Sequence, residues 1–403
     1  MRLPLPTSKP FIPQYQTVYD SYDSKPALAA AKVDSDMMGG LIQDGVWDKL
    51  DGFWVLANHA EGLDSLRNWK MPAGGDSLLD PGKGNFDIDT ESVIAAGSND
   101  MVWESGAVKI THVNHTVGFY IFFQGSDDLI SNLTVGKTYK SRIRAKCSNA
   151  IRDITLWTGT AWATVTGDLD TTYSWLECIF VAGHASNAYW RMNYITGGEQ
   201  LWIDQWEFQE WTNAEIGGGA PTHDPYGGYL GAGNPDYIDL NWNPYVNGVN
   251  YQLDSASFGV YITTDIAANA THGIQGTGTE NLRLTPRYPG DIAYGQINDA
   301  SNIFTSGTVT DGSGMYILTR TASNAKALYR NGLPIASGTH ASVALPNYNI
   351  YILGANSDGS PSYYRADNVS MSFVGSGLTQ ADVNSITNRF ETRMDYHGKG
   401  VIS

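Results

Sequence analysis

Apolar and polar residues alternate at period two along several stretches of this chain, and that alternation is the primary guide to its architecture. Over Lys137 to Cys147, Tyr139, Ile143, Ala145 and Cys147 fall on one side and Lys140, Arg142, Arg144 and Lys146 on the other. That is the period of a half-buried strand. Ser174 to Ala182 repeats it, with Leu176, Cys178, Phe180 and Ala182 alternating with Trp175, Glu177, Ile179 and Val181. Further on, Ala256, Phe258, Val260 and Ile262 alternate with Ser257, Gly259 and Tyr261, and Ile350, Ile352, Val369, Met371 and Phe373 continue a meander. Leu328 to Ile335 carries Asn331-Gly332 at its centre, which predicts a tight hairpin.

The period lengthens toward the two ends. Pro26 suits a first helical position, and Val33, Met37, Leu41, Val46, Leu50, Phe53 and Trp54 recur near helical spacing. Two helices are therefore predicted, over 26–43 and 46–58. At the far end Thr379 is placed as an N-cap with Asp382 three residues on, and Val383, Ile386, Phe390 and Met394 form a stripe. Residues 1–25 are punctuated by Pro4, Pro6, Pro10 and Pro13, which predicts an extended arm. Its Phe11, Tyr15, Tyr19 and Tyr22 leave two readings, a floppy terminus or an arm that orders against a neighbouring subunit.

Eight of the twelve tryptophans lie in residues 100–211, a segment flanked by Gly74-Gly75 and Gly217-Gly218-Gly219. Glycine runs at both ends of a compact block suit a domain inserted at a host loop, where its termini must lie close together. The fold class read from this is mainly β: two β-sandwiches, a short helical N-terminal region and a C-terminal helix. The expected parts are an arm over 1–25, a helical lead-in over 26–73, an inserted sandwich over 76–212, and a host sandwich over 213–403.

Composition narrows the function. The 403 residues carry only 16% charged positions and a formal net charge of −16. An overall acidic chain is a poor partner for phosphate backbones or anionic membranes. The basic stripe at Lys140, Arg142, Arg144 and Lys146 reads as one strand face and not as a property of the domain. No window approaches the ~18 apolar residues of a membrane span, and no secretory signal is read at the start, so synthesis in a reducing cytoplasm is expected. Cys147 and Cys178 both fall on apolar faces, as buried thiols or, if their strands oppose, as a bridge.

The phrases Asn250 to Tyr261, Leu328 to Gly332, Ala344 to Asn347 and Phe373 to Thr379 resemble concanavalin A-like, laminin-G-like sandwiches of structural proteins in tailed bacteriophages. Gly45 to Asp51 and Leu66 to Pro72 resemble the helical lead-in of the same proteins. There the lead-in runs almost directly into the sandwich, whereas here residues 76–212 intervene. That block is similar to carbohydrate-binding jelly rolls: Asn85-Phe86-Asp87 looks like their opening strand, Val135 to Tyr139 like a later one, and Leu201 to Asp204 like the closing one. The resemblance implies a structural calcium ion, with Asp87 and Asp204 as ligands; the residues alone equally allow two ordinary surface carboxylates, since calcium takes six or more oxygens.

No nucleophile elbow, zinc-helix signature, phosphate loop or paired cysteine motif occurs. The nearest carboxylate clusters are Asp87, Asp89 and Glu91, and Glu207 with Glu210. His112 and His115, three apart on one predicted strand, face opposite sides. The chain is therefore expected to be no enzyme. Trp157 and Trp162 bracket a polar turn, and Tyr189 and Trp190 follow a Gly/Ser/Asn loop; these four are the candidate sugar-stacking residues, with core packing as the competing role. The function expected is a phage virion protein (head fibre, decoration or tail appendage). Its arm would attach to capsid or tail proteins, with copies assembled as a homo-oligomer such as a trimer, and its sandwiches would meet glycans. A free bacterial lectin and a virion-associated polysaccharide depolymerase are the alternatives.

Overall fold

The computed structural model describes residues 11–70, 93–96, 99–103, 107–112, 119–123, 133–148, 154–158, 160–165, 169–183, 189–192, 200–276, 281–300 and 304–402. The chain is mainly β, built of sheets that are antiparallel but for the parallel pairing of His272–Gln275 with Ala355–Ser357, with a short helical region near its start and a helix near its end. It divides into two compact units, one of Met1–Ala73 with Thr212–Ser403 and one of Gly74–Trp211.

The first unit is built around an eight-stranded sheet. Its path is Thr222–Asp224, Gly228–Leu230, Asn368–Gly375, Ala256–Ile262, Gly314–Ala322, Ala325–Arg330 and Leu333–Gly338, with Leu50–Trp54 also pairing to Asn368–Gly375. Every residue of Ala256–Ile262 is buried, because this sheet is covered on both sides. On one side Phe258, Val260, Tyr316 and Leu318 pack with Leu282, Leu284 and Ile297 of a six-stranded sheet. On the other, Tyr261, Ile317, Met371 and Phe373 pack with Tyr15, Met38, Leu41, Ile386 and Phe390 from three helices, Pro13–Ser21, Leu28–Gln43 and Gln380–Tyr396. Each such side chain withdrawn from water contributes about 1.5–3 kcal/mol. Asn331 and Gly332 take φ of 51° and 81°, the paired positive values that the tightest hairpin turn requires, and Arg330 sits opposite Leu333. The C-terminal helix opens with a complete capping box between Thr379 and Asp382.

Two expectations fail at the N-terminal side. The stretch 46–58 is not a helix: after a short 3-10 turn at Trp47–Lys49, Leu50–Trp54 is a strand, with Phe53 opposite Phe373. Phe53, Val55 and Ala57 enter the helix-covered core, while Trp54 and Leu56 enter the core between the sheets. A strand buried on both faces shows no polar alternation, so its apolar residues mimicked helical spacing. Nor are residues 11–25 an extended arm. Pro13 occupies the first turn of the helix Pro13–Ser21, where its missing N–H costs nothing. Phe11, Tyr15, Val18 and Tyr22 are buried in the unit's own helical layer. The Lys25 ammonium closes that helix by donating to the carbonyls of Tyr19, Asp20 and Tyr22. Residues 1–10 and the glycines at 74 and 75 lie outside the described residues.

The second unit is a two-layer sandwich. One five-stranded sheet runs Asn99–Trp103, Val108–His112, Gln200–Glu210, Thr138–Cys147, Ser174–Val181; the other runs Val93–Ala96, Phe119–Phe123, Tyr189–Met192, Ile154–Trp157, Trp162–Thr164. Tyr139, Ile143, Ala145, Leu176, Phe180, Ile203 and Phe208 of the first sheet meet Leu156 and Trp190 of the second in one core. Cys147 and Cys178 are both buried free thiols. Cys178 stands opposite Ser141, six positions along the strand from Cys147, so the register keeps the two apart. Burial pushes the Cys178 thiol up to about 12, with Glu177 adding to the rise.

Candidate functional site

Three of the four sugar-stacking candidates occupy one line across the second sheet of the inserted unit. Tyr189 pairs directly with Trp157, and Trp157 pairs directly with Trp162. Directly paired residues share a face, with Cβ atoms about 4.5–5.5 Å apart. The next row of the same strands is Trp190, Leu156 and Ala163, and there Leu156 and Trp190 are buried in the core. Successive strand residues alternate sides, so the Tyr189, Trp157 and Trp162 positions belong to the outer face. Trp157 is half-buried. At the end of this hairpin the Thr158 N–H donates to the Ala161 carbonyl at 2.9 Å, and the Thr158 Oγ1 accepts from the Ala161 N–H at 3.2 Å.

Trp190 is not a surface residue, contrary to its candidacy. Its indole is 1% exposed, and its Nε1 donates to the Ser141 hydroxyl at 2.9 Å. Trp206 donates to the same hydroxyl at 3.1 Å, so one serine satisfies two buried indoles.

Of the proposed calcium ligands, Asp87 lies outside the described residues. Asp204 sits at an irregularity between Ile203 and Gln205, and its carboxylate is paired with Arg144 at 2.8 Å. Partial burial raises its carboxyl, and the Arg144 cation opposes that rise. Among the described residues no group of three or more His, Cys, Asp or Glu side chains surrounds a position for a metal ion.

The outer face of the first sheet carries a feature that the sequence showed only in half. Each basic residue on the outer side of Thr138–Cys147 lies over an aromatic ring: Lys140 over Trp211 at 4.6 Å, Arg142 over Trp175 at 4.3 Å, Arg144 over Tyr173 at 5.3 Å, and Lys146 over Tyr173 at 4.6 Å. Lys146 also lies 5.1 Å from the Trp202 ring, which receives Lys109 at 5.5 Å. The basic stripe was legible at period two; its aromatic partners come from three other stretches of chain and become visible only through the pairing of strands.

In the first unit, Glu215 stands directly opposite Asp239. Burial holds the Asp239 carboxyl at about 7, against the opposing hydrogen bonds from the Asn241 N–H and the Asn349 side chain; nearby Glu215 adds to the rise. Residues 87–91 lie outside the described residues, and Glu210 is engaged by Lys137 at 2.8 Å. His112 and His115 add nothing further, since His115 lies outside the described residues. No described helix is long and apolar enough to cross a membrane.

No protein-family model matches the sequence, and no curated protein matches it. Among solved structures the chain is similar to Trypanosoma rangeli sialidase in complex with sialic acid, at 12% identity and a TM-score of 0.35. That match covers 75% of this chain and 63% of the sialidase, so the chain spans less than two thirds of that protein. It is also similar to domain 4 of AbnA, an extracellular arabinanase from Geobacillus stearothermophilus in complex with arabinotriose, at 17% identity and a TM-score of 0.30, over 43% of this chain and 88% of that one. A third similarity, to BiXyn10A CBM1 without ligand, has 14% identity and a TM-score of 0.22, over 32% of this chain and 99% of that one.

Proposed function

We propose that this chain is a non-catalytic adhesion protein whose inserted unit holds a glycan on the row formed by positions Tyr189, Trp157 and Trp162. The observation that carries this reading is the register, which lines up three aromatic residues from three adjacent strands on the outer face of one sheet. A flat apolar ring complements the C–H face of a pyranose, and a row of such positions matches several successive sugars. One such row binds weakly, so display in several copies would raise the effective concentration for each further contact. The resemblance of the first unit to tailed-phage sandwiches supports a virion as the place of that display, with the trimer as the expected assembly. With the residues 11–25 folded into the unit, any attachment segment is sought elsewhere than in that stretch.

Titration of the full chain against a panel of neutral oligosaccharides tests the reading. Trp157→Ala should weaken binding about tenfold or more, equivalent to about 1.4 kcal/mol, while leaving the thermal transition in place. Absence of binding to every glycan tested would sink it. Incubation with the bound polysaccharide should release no reducing ends; release would replace adhesion with the depolymerase reading. Detection of the chain in purified phage particles checks the virion setting separately.

A further inference from the structure

We propose that the outer face of the first sheet of the inserted unit is a second binding surface, specific for a linear acidic polysaccharide such as a polyuronate. It is independent of the aromatic row on the other sheet.

Three observations converge. The first is charge. On a chain of net charge −16, this face gathers Lys109, Lys140, Arg142, Arg144 and Lys146, five of the nine Lys and Arg residues of positions 74–211. The carboxylates set among them are Glu177, paired with Lys140 at 2.8 Å, and Asp204, paired with Arg144 at 2.8 Å. By register, position Glu207 stands directly opposite Arg142, and position Asp100, opposite Thr111, shares the face of Lys109, so five cations stand among four acidic positions. The second is preorganisation. Every one of the five cations lies 4.3–5.5 Å from a ring centroid, in the sequence Lys109, Trp202, Lys146, Tyr173, Arg144 and, alongside, Arg142 on Trp175 and Lys140 on Trp211. Rings that hold long side chains in place remove much of the ordering cost a ligand would otherwise bear. A guanidinium lying over a ring keeps its edge N–H groups in the plane, where they suit the two oxygens of a carboxylate.

The third observation is spacing. Outward residues on one strand recur every ~6.6–6.8 Å, so Arg142, Arg144 and Lys146 form a line of three cations spread over roughly 13 Å. Lys140, 8% exposed and paired with Glu177, backs the end of that line. A line of spaced positive charge fits a polymer with one carboxylate per sugar. DNA, with a charge every ~1.7 Å, meets the acidic remainder of the chain far more strongly than a sparsely charged glycan does.

The test is binding of the full-length protein to immobilised polygalacturonate, with a neutral glucan and double-stranded DNA as comparisons, at about 50 and 200 mM salt. Polygalacturonate should bind at low salt and weaken at least severalfold at high salt, with DNA weaker throughout. The Arg142→Gln/Arg144→Gln/Lys146→Gln variant should lose tenfold or more of this binding while keeping whatever neutral glycan the wild type holds. Trp157→Ala should do the reverse, which separates failure here from failure of the adhesion reading. Glu177→Gln, which removes a carboxylate from the face, should tighten polygalacturonate binding two- to threefold, and it keeps the proposal testable if the triple variant does not fold. No binding to polygalacturonate at low salt, equal or tighter binding of DNA, or indifference to Glu177→Gln would each overturn it.

Discussion

A single hydroxyl decides the role of one tryptophan at the residue scale. Ser141 accepts from both Trp190 and Trp206 inside the core, so Trp190 is structural while its neighbour in sequence, Tyr189, belongs to the outer row. Trp190→Ala should cost about 3–5 kcal/mol in denaturant unfolding, whereas Trp157→Ala should cost far less. Charge burial gives a second expectation: Arg320 donates to the Asp299 carboxylate at 3.0 Å and Lys326 donates to the same oxygen, all three fully buried. Asp299→Ala would remove the carboxylate that neutralises two buried cations and should destabilise the first unit by about 3–5 kcal/mol. Two groups then set opposing pH slopes. Asp239 stays protonated in the folded chain up to about pH 7, while the unfolded carboxyl ionises near ~4, so its contribution falls as pH rises between those values. His397 does the opposite. Burial, and secondarily the Arg393 cation, lower it to about 4, its Nε2 has no hydrogen-bond partner among the described residues, and its ring stacks on Tyr226 at 3.9 Å. The unfolded imidazole gains its proton first, so stability falls as pH drops from about 6.5 to 4. Melting temperature followed against pH should show Asp239→Asn gaining at pH 8 but not at pH 4, and His397→Phe gaining near pH 4.5 but not at pH 8.

Elements were legible wherever one face is wet. Thr138–Cys147 and Ser174–Val181 follow their predicted alternation because one side packs in the core and the other carries charge or solvent-facing residues. The hairpin at Asn331-Gly332 and the helix after Thr379 were legible because turn and cap chemistry is local. Leu50–Trp54 was not, since it is covered on both faces and its partner strand lies more than 300 positions away. The helix Pro13–Ser21 was hidden for another reason: prolines suggest extension until one of them falls at a first turn. The candidate row was half legible. Its aromatic residues could be nominated one by one, but their alignment depends on register, which no single stretch of sequence contains. A check at this scale is Thr379→Ala, which removes the acceptor for the Asp382 N–H and should cost about 0.5–2 kcal/mol by denaturant titration.

Across the whole molecule, the apolar residues of Gly74–Trp211 form a core of their own, while those of Met1–Ala73 with Thr212–Ser403 fill two others on either side of the eight-stranded sheet. Compact units with cores of their own melt as separate cooperative events, and the two cores of the first unit share one sheet and so count as one. Calorimetry should therefore resolve two transitions, with Trp190→Ala lowering one and Asp299→Ala the other. Within the first unit, the places where the chain departs and comes back are sewn to each other: Ala214 N–H donates to the Leu66 carbonyl at 2.7 Å, Asn68 N–H to the Asn213 side chain at 2.8 Å, and the Asn68 amide to the Thr212 hydroxyl at 3.0 Å. Such a seam makes the intervening 138 positions a cassette. A short glycine bridge, or any foreign module with neighbouring termini, has a ready splice point there, because the two ends it must join are already held side by side.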